Sequence, residues 1–176
     1  MKPATFIATI FLATAAYAGP VVPPPGAVQF CVRNNSYCVS HPPASASLSD
    51  RQTIIAINDK VNKSILPDPL ATDEAKRAEN RNWRTVMPGG VGACNEYALT
   101  KEQLLAWAGI PMGAMQITEV RIPETGELHM VLLVRIGGAL NVLDNRTPAI
   151  FGPEETRYEF LAKQDGWGWV TAGDLK

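Results

Sequence analysis

Histidine and cysteine are scarce in this chain, with two of the former and three of the latter in 176 residues. Few side chains are therefore left for metal coordination or nucleophilic chemistry, and the position of each is informative. Charge of one sign is also not in excess: 16 basic residues face 17 acidic ones, for a formal charge of −1. With no basic cluster in the sequence, a nucleic-acid partner is not expected. Apart from residues 6–16, no apolar run approaches membrane-spanning length, so no span is expected in the mature chain. Nothing repeats at a fixed period, which excludes a repeat architecture.

The one apolar run has its own explanation. Met1-Lys2 is a short basic start, residues 6–16 are the apolar core, and Ala16-Tyr17-Ala18 is a small-x-small cleavage signal. Residues 1–18 are thus expected to be a signal peptide, giving an exported chain that starts at Gly19 and lies in the periplasm or outside the cell. Loss of Lys2 makes the formal charge one unit more negative. The chain that remains has the length of one domain.

The cysteines agree with export. Cys31 and Cys38 bracket a polar loop containing Asn34-Asn35-Ser36. In an oxidising compartment the simplest arithmetic is a Cys31–Cys38 disulfide with Cys94 free. A metal site there lacks a second pair of ligands, since His41 is the only neighbour. Residues 19–26 hold four prolines and read as an extended stretch. The expected organisation is an extended N-terminal arm over 19–47, carrying the disulfide loop, and a single catalytic domain over 48–176.

Within that domain, Ser49-Asp50-Arg51-Gln52 has capping-box spacing, and Ile54, Asn58, Val61 and Ile65 recur at helical intervals until Pro67. The charge-rich residues 73–84 read as a solvated helix or loop anchored by Trp83. A second helix is expected from near Cys94 to Ala108, with Tyr97, Leu104, Leu105 and Ala108 on one face and Gly109 and Pro111 as the stop. Strand patterns follow at 115–122, 129–136, 139–144, 157–161 and 167–171. Helices first and strands afterwards predict an α+β fold with an antiparallel sheet.

Cys94 stands where the glycine run Gly89-Gly90-Val91-Gly92 turns into that second helix. Unpaired N–H groups and the helix dipole favour negative charge at such a start, which suits a thiolate. Gly137-Gly138 is a two-residue hairpin signal that pairs Ile136 with Ala139. Counting outward pairs Leu133 with Val142 and Val131 with Asp144. His129 then shares a face with Asp144 as its diagonal neighbour, with Cβ atoms roughly 7 Å apart. The strip Val131, Leu133, Leu140 and Val142 on that face is expected to pack on the Cys94 helix. The opposite face, with Met130, Leu132, Val134 and Leu143, is also apolar, which places both strands centrally in the sheet.

Each of the three residues has an ordinary reading: a buried thiol, a satisfied core histidine, a turn-starting aspartate. Together they form a nucleophile, a base and an orienting carboxylate, with the Cys94 N–H as an oxyanion donor. Acyl-thioester chemistry with this set serves hydrolysis by a cysteine endopeptidase or acyl transfer by a transglutaminase or amidase. A non-catalytic module that binds a peptide or a cell-wall fragment is the third reading.

Residues 83–88, the segment Gly92-Ala93-Cys94-Asn95-Glu96-Tyr97-Ala98, the strand from Leu128 to Leu132 and Leu143-Asp144-Asn145 together resemble the bacterial transglutaminase-like cysteine proteinases. Cys31 and Cys38 resemble the opening of that family, and the likeness spans residues 30–147. It implies a papain-like or transglutaminase-like core, with the nucleophile at a helix N-terminus packed on an antiparallel sheet. It also implies a Cys94-His129-Asp144 triad in a periplasmic endopeptidase. Substrate and partner would be a surface adhesin, whose release controls biofilm attachment, and an inner-membrane receptor for a cyclic dinucleotide. The family pattern implies calcium held by acidic residues flanking the nucleophile. Here Ala93 and Asn95 stand beside Cys94, leaving Glu96 as the one candidate metal ligand, so no cofactor is expected and calcium should not be required.

Overall fold

The computed structural model describes residues 18–24, 26–69 and 83–175. The expected signal segment, except Ala18, and the charge-rich stretch, except Trp83 and Arg84, lie outside these residues. A six-stranded antiparallel sheet forms one layer, in the order β1-β8-β7-β4-β5-β6. Its strands are β1 Pro20–Val21, β4 Met115–Arg121, β5 Leu128–Ile136, β6 Ala139–Leu143, β7 Glu159–Asp165 and β8 Gly168–Thr171. A short parallel pair, β2 Leu66–Pro67 with β3 Val91–Gly92, stands apart from it. The helices are α1 Ala27–Arg33, α2 Arg51–Ser64 and α3 Cys94–Trp107.

The β5–β6 hairpin has the expected register, Ile136 opposite Ala139 and Leu133 opposite Val142. Gly137 and Gly138 turn it with φ of 57° and 89°. Both values lie where side chains other than glycine are strained, which is why this pair of residues sets the register. The strip assigned to the Cys94 helix faces the other way. Val131, Leu133 and Val142 pack with Val120, Phe160 and Ala172, whereas Ala98, Leu99 and Leu105 of α3 pack on Met130, Leu132, Val134 and Leu143. Both faces are apolar, so alternation alone does not say which one the helix covers. Nor are both strands central: β6 is an edge, protected where Val142 N–H donates to the Phe151 carbonyl at 2.7 Å.

α3 is wrapped for most of its length: every residue from Asn95 to Glu102, Lys101 and Glu102 included, is buried, and so is Leu105. Its last turn emerges, which leaves Ala108 exposed and Leu104 half-buried, against the expected face. A helix enclosed by α2 on one side and the sheet on the other has no single apolar stripe. Each fully buried Leu contributes about 1.5–3 kcal/mol.

The N-terminal arm is more structured than its prolines suggest. Pro20–Val21 pairs with β8, and residues 27–33 form α1, burying Ala27, Phe30 and Cys31. Cys31 and Cys38 are disulfide-bonded with Cα atoms 5.4 Å apart. The capping box lies two residues earlier than the Ser49 spacing suggests, at Ser47 and Asp50, and it caps a 3-10 turn, Leu48–Asp50, that precedes α2. Ser47 N–H donates to Asp50 Oδ2 at 2.8 Å. β7 runs to Asp165, beyond the expected end at 161.

Candidate active site

Three elements converge on one end of the sheet. Cys94 is the first residue of α3 and is half-buried. Two of the glycines before it are closely packed: a Cβ on Gly90 would lie 2.6 Å from Val86 Cγ1 and 3.0 Å from the Met87 carbonyl, and one on Gly92 would press on Glu96 Cβ at 3.2 Å. The turn before Cys94 is tied to the chain just past α2 by Leu66 N–H to the Gly90 carbonyl at 2.8 Å and Asp68 N–H to that of Gly92 at 3.0 Å. Glu96 Oε2 accepts the Ala93 N–H at 2.9 Å, closing the first turn.

His129 stands at the start of β5 and Asp144 just past β6, both buried. His129 Nε2–H donates to Asp144 Oδ1 at 2.8 Å, which leaves Nδ1 as the nitrogen for the sulfur. Asp144 Oδ1 also accepts the Arg146 N–H at 3.0 Å, and Oδ2 accepts the Tyr158 hydroxyl. The Asp144 carbonyl takes Asn62 Nδ2–H of α2 at 2.8 Å. Burial opposes charge on the imidazole, but the Asp144 hydrogen bond and the neighbouring Cys94 sulfur outweigh it and push the His129 pKa up to about 9. Burial likewise opposes the carboxylate, yet His129, Tyr158 and the Arg146 N–H bring Asp144 down to about 2. The structure therefore brings Cys94, His129 and Asp144 together, with His129 in contact with both of the others.

The chain as a whole, over residues 17–174, matches the profile described as bacterial transglutaminase-like cysteine proteinase. The chain belongs to this family. It is a transglutaminase-like cysteine peptidase with a mixed helix and antiparallel-sheet fold. Solved structures of LapG from Legionella pneumophila share that fold. The calcium-bound form aligns with a TM-score of 0.57 at 20% identity, covering 69% of this chain and 68% of LapG. The EGTA-treated form aligns at 0.54 and 16% identity over 88% of each. No curated protein matches the chain significantly by sequence.

A calcium-bound LapG raises the question of whether this peptidase's residues fit the metal. Calcium takes six to eight oxygens. Ala93 brings no side-chain oxygen and Asn95 a neutral one, while Glu96 has one oxygen on the Ala93 N–H and the other 3.0 Å from Arg84 Nε. Among the described residues no group of three or more His, Cys, Asp or Glu could hold an ion. The residues beside Cys94 do not fit calcium.

Tyr158, Arg84 and Lys101 bear on the site and were not singled out from the sequence. Tyr158 and Arg84 leave no local signal, since their partners are remote in the chain. Lys101 sits inside an apolar helical pattern, seven residues after Cys94. Burial lowers its pKa to about 7, with the Asp144 charge pulling the other way.

Proposed function

We propose that this peptidase is an exported, periplasmic endopeptidase that cleaves a surface protein with Cys94 as nucleophile, His129 as acid and base, and Asp144 as the orienting carboxylate. The observation that carries the reading is the buried His129–Asp144 pair, 2.8 Å apart through Nε2, with the ring's remaining nitrogen left for the thiol at the N-terminus of α3. The Cys94 thiolate adds to the scissile carbonyl, and the oxyanion that forms is met by the Cys94 N–H, one of the unpaired groups at a helix start. His129 gives its proton to the departing amine, and the acyl-thioester remains. Water, deprotonated by His129, then attacks the thioester and releases the acid and the thiol. Asp144 holds the ring in the tautomer that both steps need.

A cleft of about 420 Å³ lies beside Asp144 and Tyr158, lined also by Ile122, Val142, Arg146 and Phe151; Cys94 and His129 are not among its lining residues. An adhesin substrate and a membrane receptor as regulator rest on the family resemblance. The Cys31–Cys38 bond accords with an oxidising compartment. Comparative proteomics of the exported and surface fractions, with wild type against Cys94→Ala, tests the proposal. The expected result is one or a few surface proteins retained at full length in the variant. Undiminished cleavage by the purified Cys94→Ala protein overturns it.

A further inference from the structure

The misfit with calcium has a structural cause that itself points to a role. Glu96 is a shielded carboxylate, with 9% of its side chain exposed, and Arg84 reaches it from solvent with 66% of its own exposed. Burial opposes ionisation of Glu96, the Ala93 N–H and Arg84 favour it, and the negative charge of Asp68, just past β2, opposes it. The charge of Asp68 is thus felt at Glu96 beneath the turn that carries Cys94, and the guanidinium lies 3.0 Å from the Glu96 carboxylate. A dication brought to the same oxygens would face a resident positive charge at contact distance.

We propose that Arg84 is a positioning residue for the nucleophile. Its guanidinium holds the Glu96 carboxylate, which holds the Ala93 N–H, and the fixed first turn of α3 presents Cys94 without a divalent cation. The inference rests on Cys94 being the nucleophile. A planar, permanently charged guanidinium suits the task, because it binds a carboxylate with fixed geometry and cannot lose its proton. An Arg84 that served only packing would leave the reactivity of Cys94 untouched when removed.

The test follows alkylation of Cys94 by iodoacetamide across pH, with thermal melting in parallel, on the purified protein in EGTA and in about 10 mM calcium chloride, a level that fills even weak calcium sites. Wild type is expected to alkylate and melt alike in both. Arg84→Gln should slow alkylation roughly fivefold near neutral pH, the upper end for a partly exposed ion pair, and Arg84→Lys should recover most of the rate. Glu96→Gln keeps an acceptor for the Ala93 N–H and should show the same loss, with the double variant no slower than either single one. Arg84→Gln alkylating at the wild-type rate, additive losses in the double variant, or a wild type that needs calcium overturns the proposal. A wild-type Cys94 that alkylates no faster than a free thiol overturns the nucleophile assignment instead, and this proposal falls with it.

Discussion

Tyr158 donates its hydroxyl to one oxygen of Asp144 while His129 holds the other. The tyrosine ring also lies 6.0 Å from the imidazole, centroid to centroid. Asp144 is therefore clamped from both sides, and its freedom to rotate away from His129 is removed by a residue on a different element. Tyr158→Phe deletes one hydrogen bond to a charged acceptor, a change worth about 1.5 kcal/mol at a half-buried site. The expected result is kcat lower by about tenfold with KM little changed, and a thiol alkylation profile displaced in pH because Asp144 holds His129 less firmly. A fall in stability with an unmoved profile would mean that Tyr158 only packs.

The His129–Asp144 pair sets limits on stability at both ends of the pH scale. His129 moves from 6.5 unfolded to about 9 folded, so its contribution is full below 6.5 and lost as pH rises through about 9. Asp144 moves from 3.8 to about 2, so its contribution is full above 3.8 and lost as pH falls through about 2. The two contributions are on the order of 2–3.5 kcal/mol and share one hydrogen bond, so they do not add. Melting temperature against pH should drop at both flanks in wild type. Asp144→Asn should flatten the alkaline flank, because the imidazolium loses its counter-charge. An alkaline flank identical in Asp144→Asn would show that the pair is not what titrates there.

The hairpin that brings His129 beside Asp144 was legible in the sequence because two glycines and a strict period of two fix a register without any tertiary information. The face that α3 covers was not, since both sides of β5 are apolar and only packing chooses between them. Ser47–Asp50 was mistaken for a cap two residues later because a 3-10 turn looks like the first turn of the helix it precedes. Arg84 and Tyr158 were invisible for another reason. Arg84 stands 12 positions before Glu96 and Tyr158 stands 14 after Asp144, and no spacing rule joins residues across separate elements. The local setting of Cys94 was readable, whereas the Arg84 contact to Glu96 and the Tyr158 contact to Asp144 were supplied by the fold.

The disulfide offers a test of the arm. Cys31 and Cys38 are both buried, and beside the disulfide Phe30, just before the loop, meets Tyr37, within it, edge to face at 6.1 Å. Replacing both by Ala should cost about 2–3 kcal/mol, the lower part of the range because the closed loop is short. Non-reducing peptide mapping of wild type should return one Cys31–Cys38 crosslink and one alkylatable thiol at Cys94. A native crosslink to Cys94 would contradict both the pairing and the nucleophile.

Glu102 provides the last and sharpest stability test. It is fully enclosed in α3, its Oε2 has no hydrogen-bond partner among the described residues, and burial pushes its pKa from 4.5 to about 8. The unfolded chain releases this proton near 4.5 while the folded chain keeps it to about 8, so the folded state binds more protons between those values. By linkage, stability falls as pH rises across that window, on the order of a few kcal/mol by its upper end. Glu102→Gln keeps the shape and removes the titration. The variant should melt like wild type near pH 4.5 and increasingly above it as pH approaches 8, with the difference growing steadily. His129 titrates in part of the same window but is unchanged in the variant, so the difference between the two curves isolates Glu102. A difference that does not depend on pH would show that Glu102 is not held protonated, and that a partner for its carboxylate exists in solution.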